Sequence, residues 1–112
     1  MLAKSRGRFL RITPRKLRIV ADLVRGRTVA QAVVILDNTP KHGSVVLKKI
    51  ILSAQASAAV KDPAARPDQL RISKLMVDGG SVLKRWLPRA HGRATPILKR
   101  TAHALVELEK VA

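Results

Sequence analysis

Between Gly79 and Val106 the chain carries Lys84, Arg85, Arg89, Arg93, Lys99 and Arg100, with His91 and His103 among them and no carboxylate. What such a set can do is neutralise phosphate, each contact releasing counterions from a polyanion. The N-terminal segment repeats the one-sided pattern, with Lys4, Arg6, Arg8, Arg11, Arg15, Lys16 and Arg18 lying before Ala21 and no acid among them. The whole chain, 112 residues with 23 Lys and Arg against 7 Asp and Glu, has a formal charge of +16. A polyanion is the default partner for that balance.

Other chemistries fail on inventory. His42, His91 and His103 are too far apart to present two metal ligands together, and the absence of cysteine removes thiolate sites, nucleophiles and disulfides. The carboxylates are scattered, and Asp22, with Arg18 and Arg25 within helical reach, reads as a salt-bridge partner rather than half of an acid/base pair. Gly79-Gly80 lacks the lysine and spacing of a phosphate-binding loop, which makes it a hinge or bulge. No active site, metal or cofactor is expected.

The aromatic content is Phe9 and Trp86 alone, too little for a stacking surface of the kind single-strand binders use. Phe9 reads as a core or edge residue. Trp86 has two readings, stacking on an exposed base or covering the opposite strand, and Lys48 and Lys49 have two as well, solvent or phosphate. Because phosphate contacts give affinity without reading sequence, selectivity must come from shape. Folded RNA, with crevices that can enclose a ribbon, suits this better than duplex DNA.

The elements that must position these cations can be read from the same letters. Residues 1–12 predict an edge strand. Thr13-Pro14 predicts a helix start and Gly26 its stop, with Leu17, Val20, Ala21 and Val24 as the apolar stripe and Arg15, Lys16, Arg18 and Arg25 off it. Thr28 to Gln31 has capping-box spacing for a second helix up to Asn38. Thr39-Pro40 repeats the start signal for a third, running from about Pro40 to Lys61 with Val46, Ile50, Ala54 and Ala58 inward.

Pro63 to Asp68 predicts a loop. From Leu70 the period becomes two, with Leu70, Ile72, Lys74 and Met76 on one face and Arg71, Ser73, Leu75 and Val77 on the other; Thr101 to Leu108 alternates too. Paired antiparallel, these strands would continue into an arm of on the order of 30 Å. A free two-stranded ribbon is marginal in water, so the arm needs a surrounding partner.

Two motifs in order then resemble a known family. Ile12-Thr13-Pro14-Arg15-Lys16-Leu17-Arg18, followed by Asp22-Leu23-Val24-Arg25-Gly26, resembles the opening of ribosomal protein L twenty-two of the large subunit. Lys84-Arg85-Trp86-Leu87-Pro88-Arg89-Ala90-His91-Gly92-Arg93-Ala94, then Lys99-Arg100-Thr101-Ala102-His103, resembles its bacterial signature.

The resemblance implies a single α+β domain over residues 1–112, three helices on a small antiparallel three-stranded sheet, with a protruding β-hairpin at about 79–103. It implies a structural, non-enzymatic part of the large ribosomal subunit in the cytoplasm, which binds ribosomal RNA during assembly and lines the nascent-peptide exit tunnel with its hairpin. Arg8, Arg11, Arg15, Lys16, Arg18, Arg25, Lys84, Arg85, Lys99 and Arg100 would meet RNA. Arg89, Ala90, His91, Gly92 and Arg93 would form the tunnel-facing tip. Partners would be large-subunit RNA, neighbouring ribosomal proteins and the passing nascent peptide, with no homo-oligomer.

Three positions depart from the family pattern, namely His91 in place of Lys or Arg, Trp86 in place of a smaller aliphatic, and Ala104 in place of a larger one. A DNA-compacting protein would share the charge but show no preference for folded RNA. A membrane-surface protein would need anchors that the run from Val45 to Val60 does not supply, and that run, interrupted by Lys48 and Lys49, is too short to cross a bilayer. The basic N-terminus has no apolar stretch of the kind a secretory signal needs.

Overall fold

The protein is described by a computed structural model over residues 2–88 and 90–110. The order is β1 (Ala3–Leu10), α1 (Pro14–Val24), α2 (Val29–Asp37), α3 (His42–Lys61), β2 (Leu70–Pro88) and β3 (Ala94–Lys110), with short 3-10 turns at Pro67–Gln69 and Ala90–Gly92. The sheet is antiparallel in the order β1-β3-β2. Helices pack on one of its faces, which is the α+β arrangement expected from the sequence.

Local chemistry sets most helix ends. Thr13 caps α1, its hydroxyl oxygen accepting the Lys16 N–H at 3.4 Å. Thr28 and Gln31 form a reciprocal capping box on α2 at 3.3 and 3.4 Å, which together satisfies two free donors. Gly26, at φ +81, makes the left-handed turn that ends α1. The predicted stripe of α1, Leu17, Val20, Ala21 and Val24, is fully buried.

α3 departs from its expected start and face. Lys41 occupies the cap with no side-chain bond, and the helix begins at His42, because the Thr39 hydroxyl donates back to the Ile35 carbonyl at 2.7 Å and closes α2 instead. Its inward face holds Leu47, Ile50, Ile51, Ala54 and Ala58, with Gly43 and Ser44 at the start, while Val46 is only partly buried. The 20-residue helix is long and apolar enough, by those two measures, to cross a bilayer. Here that apolar stripe is part of the core.

The strand faces are reassigned by bulges. A register shift between Ile72 and Lys74 moves the buried set from Leu70 and Ile72 to Leu75 and Val77, so Met76 and Lys74 turn outward, contrary to the unbroken alternation expected. A second irregularity lies between Gly7 and Leu10 in β1. There Phe9 takes φ +53 and is 58% exposed, so it is an edge residue and not a core one. Ala104 is buried in register between Gly7 and Val77. A Cβ on Gly7 would come within 2.8 Å of Ile50 Cδ1, so small residues here let α3 approach the sheet closely.

β2 is an edge strand of the body sheet, and the α1 side of the molecule covers that edge. Ile72 N–H donates to the Arg27 carbonyl at 2.9 Å, Arg25 donates to the Leu75 carbonyl at 3.0 and 3.2 Å, and Arg18 donates to the Val77 carbonyl at 3.1 and 3.2 Å. A row of strand groups that would otherwise be open to pairing is thereby satisfied. Arg25 also pairs with Asp22, whereas Arg18 does not.

Candidate nucleic-acid interface

Beyond Gly79, the register shifts between Gly79 and Val82, and from there β2 and β3 continue without β1 to Pro88↔Ala94. This is the bulge expected at Gly79-Gly80, and it marks the root of the arm. The molecule is 65 Å along its longest axis and 25 × 16 Å across, the length being due to this ribbon.

The register shows how the cations are arranged. Val82 faces Arg100, Leu83 faces Lys99, Lys84 faces Leu98 and Arg85 faces Ile97, so each of four successive cross-strand pairs joins one cation to one aliphatic. Like charges directly opposite one another would destabilise the ribbon; here an aliphatic group lies beside each charged stem. Side chains on opposite strands share a face, and neighbours along a strand do not. Lys84 and Arg100 therefore lie on one face of the arm and Arg85 and Lys99 on the other.

Trp86 faces Pro96 across the ribbon and stays 65% exposed, so it both lies beside the opposite strand and keeps free ring surface. At the tip, His91 and Gly92 adopt left-handed conformations, φ +63 and +71, and with Ala90 they make the turn. Arg93 is exposed; Arg89 lies outside the described residues.

On the body and at the arm's root the sequence-predicted residues separate into four groups. Arg11, Lys16, Lys99 and Arg100 converge, with His42, on one open hollow of about 450 Å³. They come from the β1–α1 turn, the first turns of α1 and α3, and the returning strand of the arm. The first turns of α1 and α3 carry no acid, so the positive ends of both helices add to the field there. Arg8 lies elsewhere, with Arg6, on the sheet face that no helix covers. Arg15 is exposed on α1, and Arg18 and Arg25 are the braces of the β2 edge.

Sequence reasoning weighed His42 only as a metal ligand, and nothing local ties it to Arg11; only packing brings them together. The carboxylate readings were sound for Asp22 with Arg25, and Asp37 likewise pairs with Lys48. That ion pair gives Lys48 a protein partner, while Lys49 is exposed. Among the described residues no group of three metal-ligating side chains exists.

The elongated basic ribbon is the arrangement that the sequence motifs implied, and the basic hollow at its root is what the tertiary structure adds. Residues 5–109 match the family described as Ribosomal protein L22p/L17e. The chain is also 48% identical, over 110 residues, to the large ribosomal subunit protein uL22 of Desulfotalea psychrophila, an alignment that covers 98% of this chain and 99% of the relative. The chain therefore belongs to the L22p/L17e family in its bacterial type, and is a structural, non-enzymatic constituent of the large ribosomal subunit in the cytoplasm.

Proposed function

We propose that residues 1–112 act as one domain that binds large-subunit ribosomal RNA during assembly, with the hairpin at about 79–103 threaded through RNA to the wall of the nascent-peptide exit tunnel. The observation that carries this reading is the arm's two-sided charge. Cations project from both faces of a ribbon whose side chains are almost all exposed, and such a ribbon is poorly stable unless something surrounds it. A surrounding polyanion satisfies both requirements, whereas a flat duplex surface would satisfy one face.

In this reading Lys84, Arg85, Lys99 and Arg100 are the shaft contacts. Arg11 and Lys16 extend the contact at the root, and Arg8 and Arg15 add exposed phosphate contacts on the body. Arg18 and Arg25 contribute mainly by holding the body together, through their bonds to the Val77 and Leu75 carbonyls. Arg89, Ala90, His91, Gly92 and Arg93 form the tip that meets the nascent peptide, and neighbouring ribosomal proteins, rather than a second copy of this chain, complete the surroundings.

A salt titration of binding tests the reading. Affinity of the full chain for large-subunit RNA should fall linearly on logarithmic axes by roughly 0.7–0.9 per neutralised phosphate. Folded RNA should bind more tightly than duplex DNA of equal length. Equal affinity at matched salt would assign the protein to DNA compaction instead.

A further inference from the structure

The uncovered face of the body sheet holds a second hollow, of about 290 Å³, whose lining includes Arg6, Arg8, Phe9, Met76, Asp78 and His103. It lies near the lower end of the range of roughly 300–1,000 Å³ typical of small-ligand sites. Three of its features set it apart from a solvated basic face.

First, two rings are fixed there. Phe9 N–H donates to His103 Nδ1 at 3.1 Å, and the rings meet edge to face, centroids 4.9 Å apart and planes at 83°. The acceptor role of Nδ1 places the His103 proton on Nε2. A Cβ on Gly80 would come within 3.2 Å of the His103 ring, so that ring is held between the β1 backbone and Gly80. Phe9 itself is in a left-handed conformation, uncommon for a bulky residue, and the result is an exposed aromatic face.

Second, Asp78 lies opposite His103 in the register and has no ion pair among the described residues, although Arg6 and Arg8 line the same hollow. Of the other six carboxylates, Asp22, Asp37, Asp62, Asp68 and Glu109 have such partners, and only Glu107, outside this hollow, likewise has none among the described residues. A free carboxylate repels phosphate, so a phosphate backbone alone does not explain this site. Third, Arg6 and Arg8 flank it and can hold the phosphates on either side of a nucleotide.

We infer that this hollow takes one unpaired guanosine of an RNA strand, its base stacked on the Phe9/His103 corner and its Watson–Crick edge on Asp78. Guanine is the base that offers two adjacent donors, N1–H and the exocyclic amine, and these match the two oxygens of a carboxylate. Adenine, cytosine and uracil each present an acceptor to one of those oxygens. The inference rests on the RNA-binding reading above and adds to it a base-selective contact on the body, away from the arm.

The test uses the full chain and three RNA hairpins with equal numbers of phosphates: a fully paired stem, one with a single bulged guanosine, and one with a bulged adenosine. Fluorescence anisotropy at fixed salt should show the guanosine bulge binding on the order of tenfold tighter than the paired stem, the scale of one base stacked on an aromatic ring. It should also bind several-fold tighter than the adenosine bulge. Asp78→Asn, at an exposed position, should abolish the preference for guanosine over adenosine without weakening binding to the paired stem. Phe9→Leu should reduce the preference for both bulges.

Salt-dependent binding of all three hairpins within twofold of one another would overturn the guanosine site and leave RNA binding standing. A guanosine preference that survives Asp78→Asn would also overturn it. No binding to any hairpin at low salt would instead count against the RNA-binding reading itself. A Glu-rich peptide that binds tightly and competes for the hollow, with no preference among the RNAs, would assign the face to a protein partner.

Discussion

Replacing Arg18 and Arg25 together by alanine separates a scaffold role from a phosphate-binding role. Each guanidinium gives two N–H bonds to one carbonyl of the β2 edge, Val77 for Arg18 and Leu75 for Arg25, at 3.0–3.2 Å. A hydrogen bond from a charged donor contributes about 1.5–3 kcal/mol when shielded. The Arg25 side chain is 45% exposed, so water competes for the freed carbonyl and about 1 kcal/mol per braced carbonyl is the better figure. Loss of both braces then costs about 2 kcal/mol, which at roughly 4–8 °C per kcal/mol lowers Tm by about 8–16 °C.

Thermal unfolding of the free protein by circular dichroism gives the first number, and a salt titration of RNA binding gives the second. If the arginines brace the sheet, Tm falls while the logarithmic salt slope is nearly unchanged. If they mainly bind phosphate, the slope should drop by roughly 0.7–0.9 for each phosphate no longer neutralised. An unchanged Tm with a slope lower by more than one would refute the edge-bracing role. The single variants should be close to additive, since the two side chains serve different carbonyls.

Three other outcomes follow from the same geometry. In the free protein, amides from Val82 to Leu87 and those of the non-proline residues from Ala94 to Arg100 should exchange with solvent far faster than those of α3; protection of the arm equal to that of α3 would show a ribbon stable by itself. Gly80→Ala would place a Cβ 2.5 Å from Thr101 Oγ1, whose hydroxyl donates to the Ser81 carbonyl at 2.6 Å, so it should cost about 1–3 kcal/mol, and a Tm within a degree of wild type would contradict it. The Lys110 ammonium, donating to Asp62 at 2.9 Å, is the main cause that holds the Asp62 carboxyl below its ordinary value. That contribution to stability is complete above the ordinary carboxylate value and is lost as pH falls through the lower folded one. Lys110→Met should therefore move the Asp62 titration upward in carbon-13 NMR, and identical titrations in the two proteins would refute the assignment.

What the sequence determined alone was the chemistry that acts over a few residues. Thr13-Pro14 and the Thr28/Gln31 box set helix starts because capping depends only on neighbouring backbone donors, and Gly26 marks a stop because few other residues reach its conformation. The cation run in the arm was equally legible, since charge without acids requires no fold to interpret. The alternation after Leu70 correctly gave strands. It could not give their faces, because one extra residue near Ser73 inverts which side chains point inward, and that bulge is fixed by pairing with a strand about thirty-five residues away in sequence.

Tertiary structure decided how individual cations are used. Arg18 and Arg25 look like Arg15 in the sequence, as off-stripe basic residues on one helix, yet α1 packs along the open edge of β2, and Arg18 within it and Arg25 at its C-terminal cap meet carbonyls there. The face of α3 shifted to Leu47 and Ile51 for a similar reason: a mostly apolar helix offers several possible stripes, and the close approach at Gly7 selects one. Phe9, Asp78 and His103 come from three strands and have no common signal in the sequence. Only the register of β1, β3 and β2 brings them to one hollow, because strand pairing, unlike capping, is settled by long-range contacts.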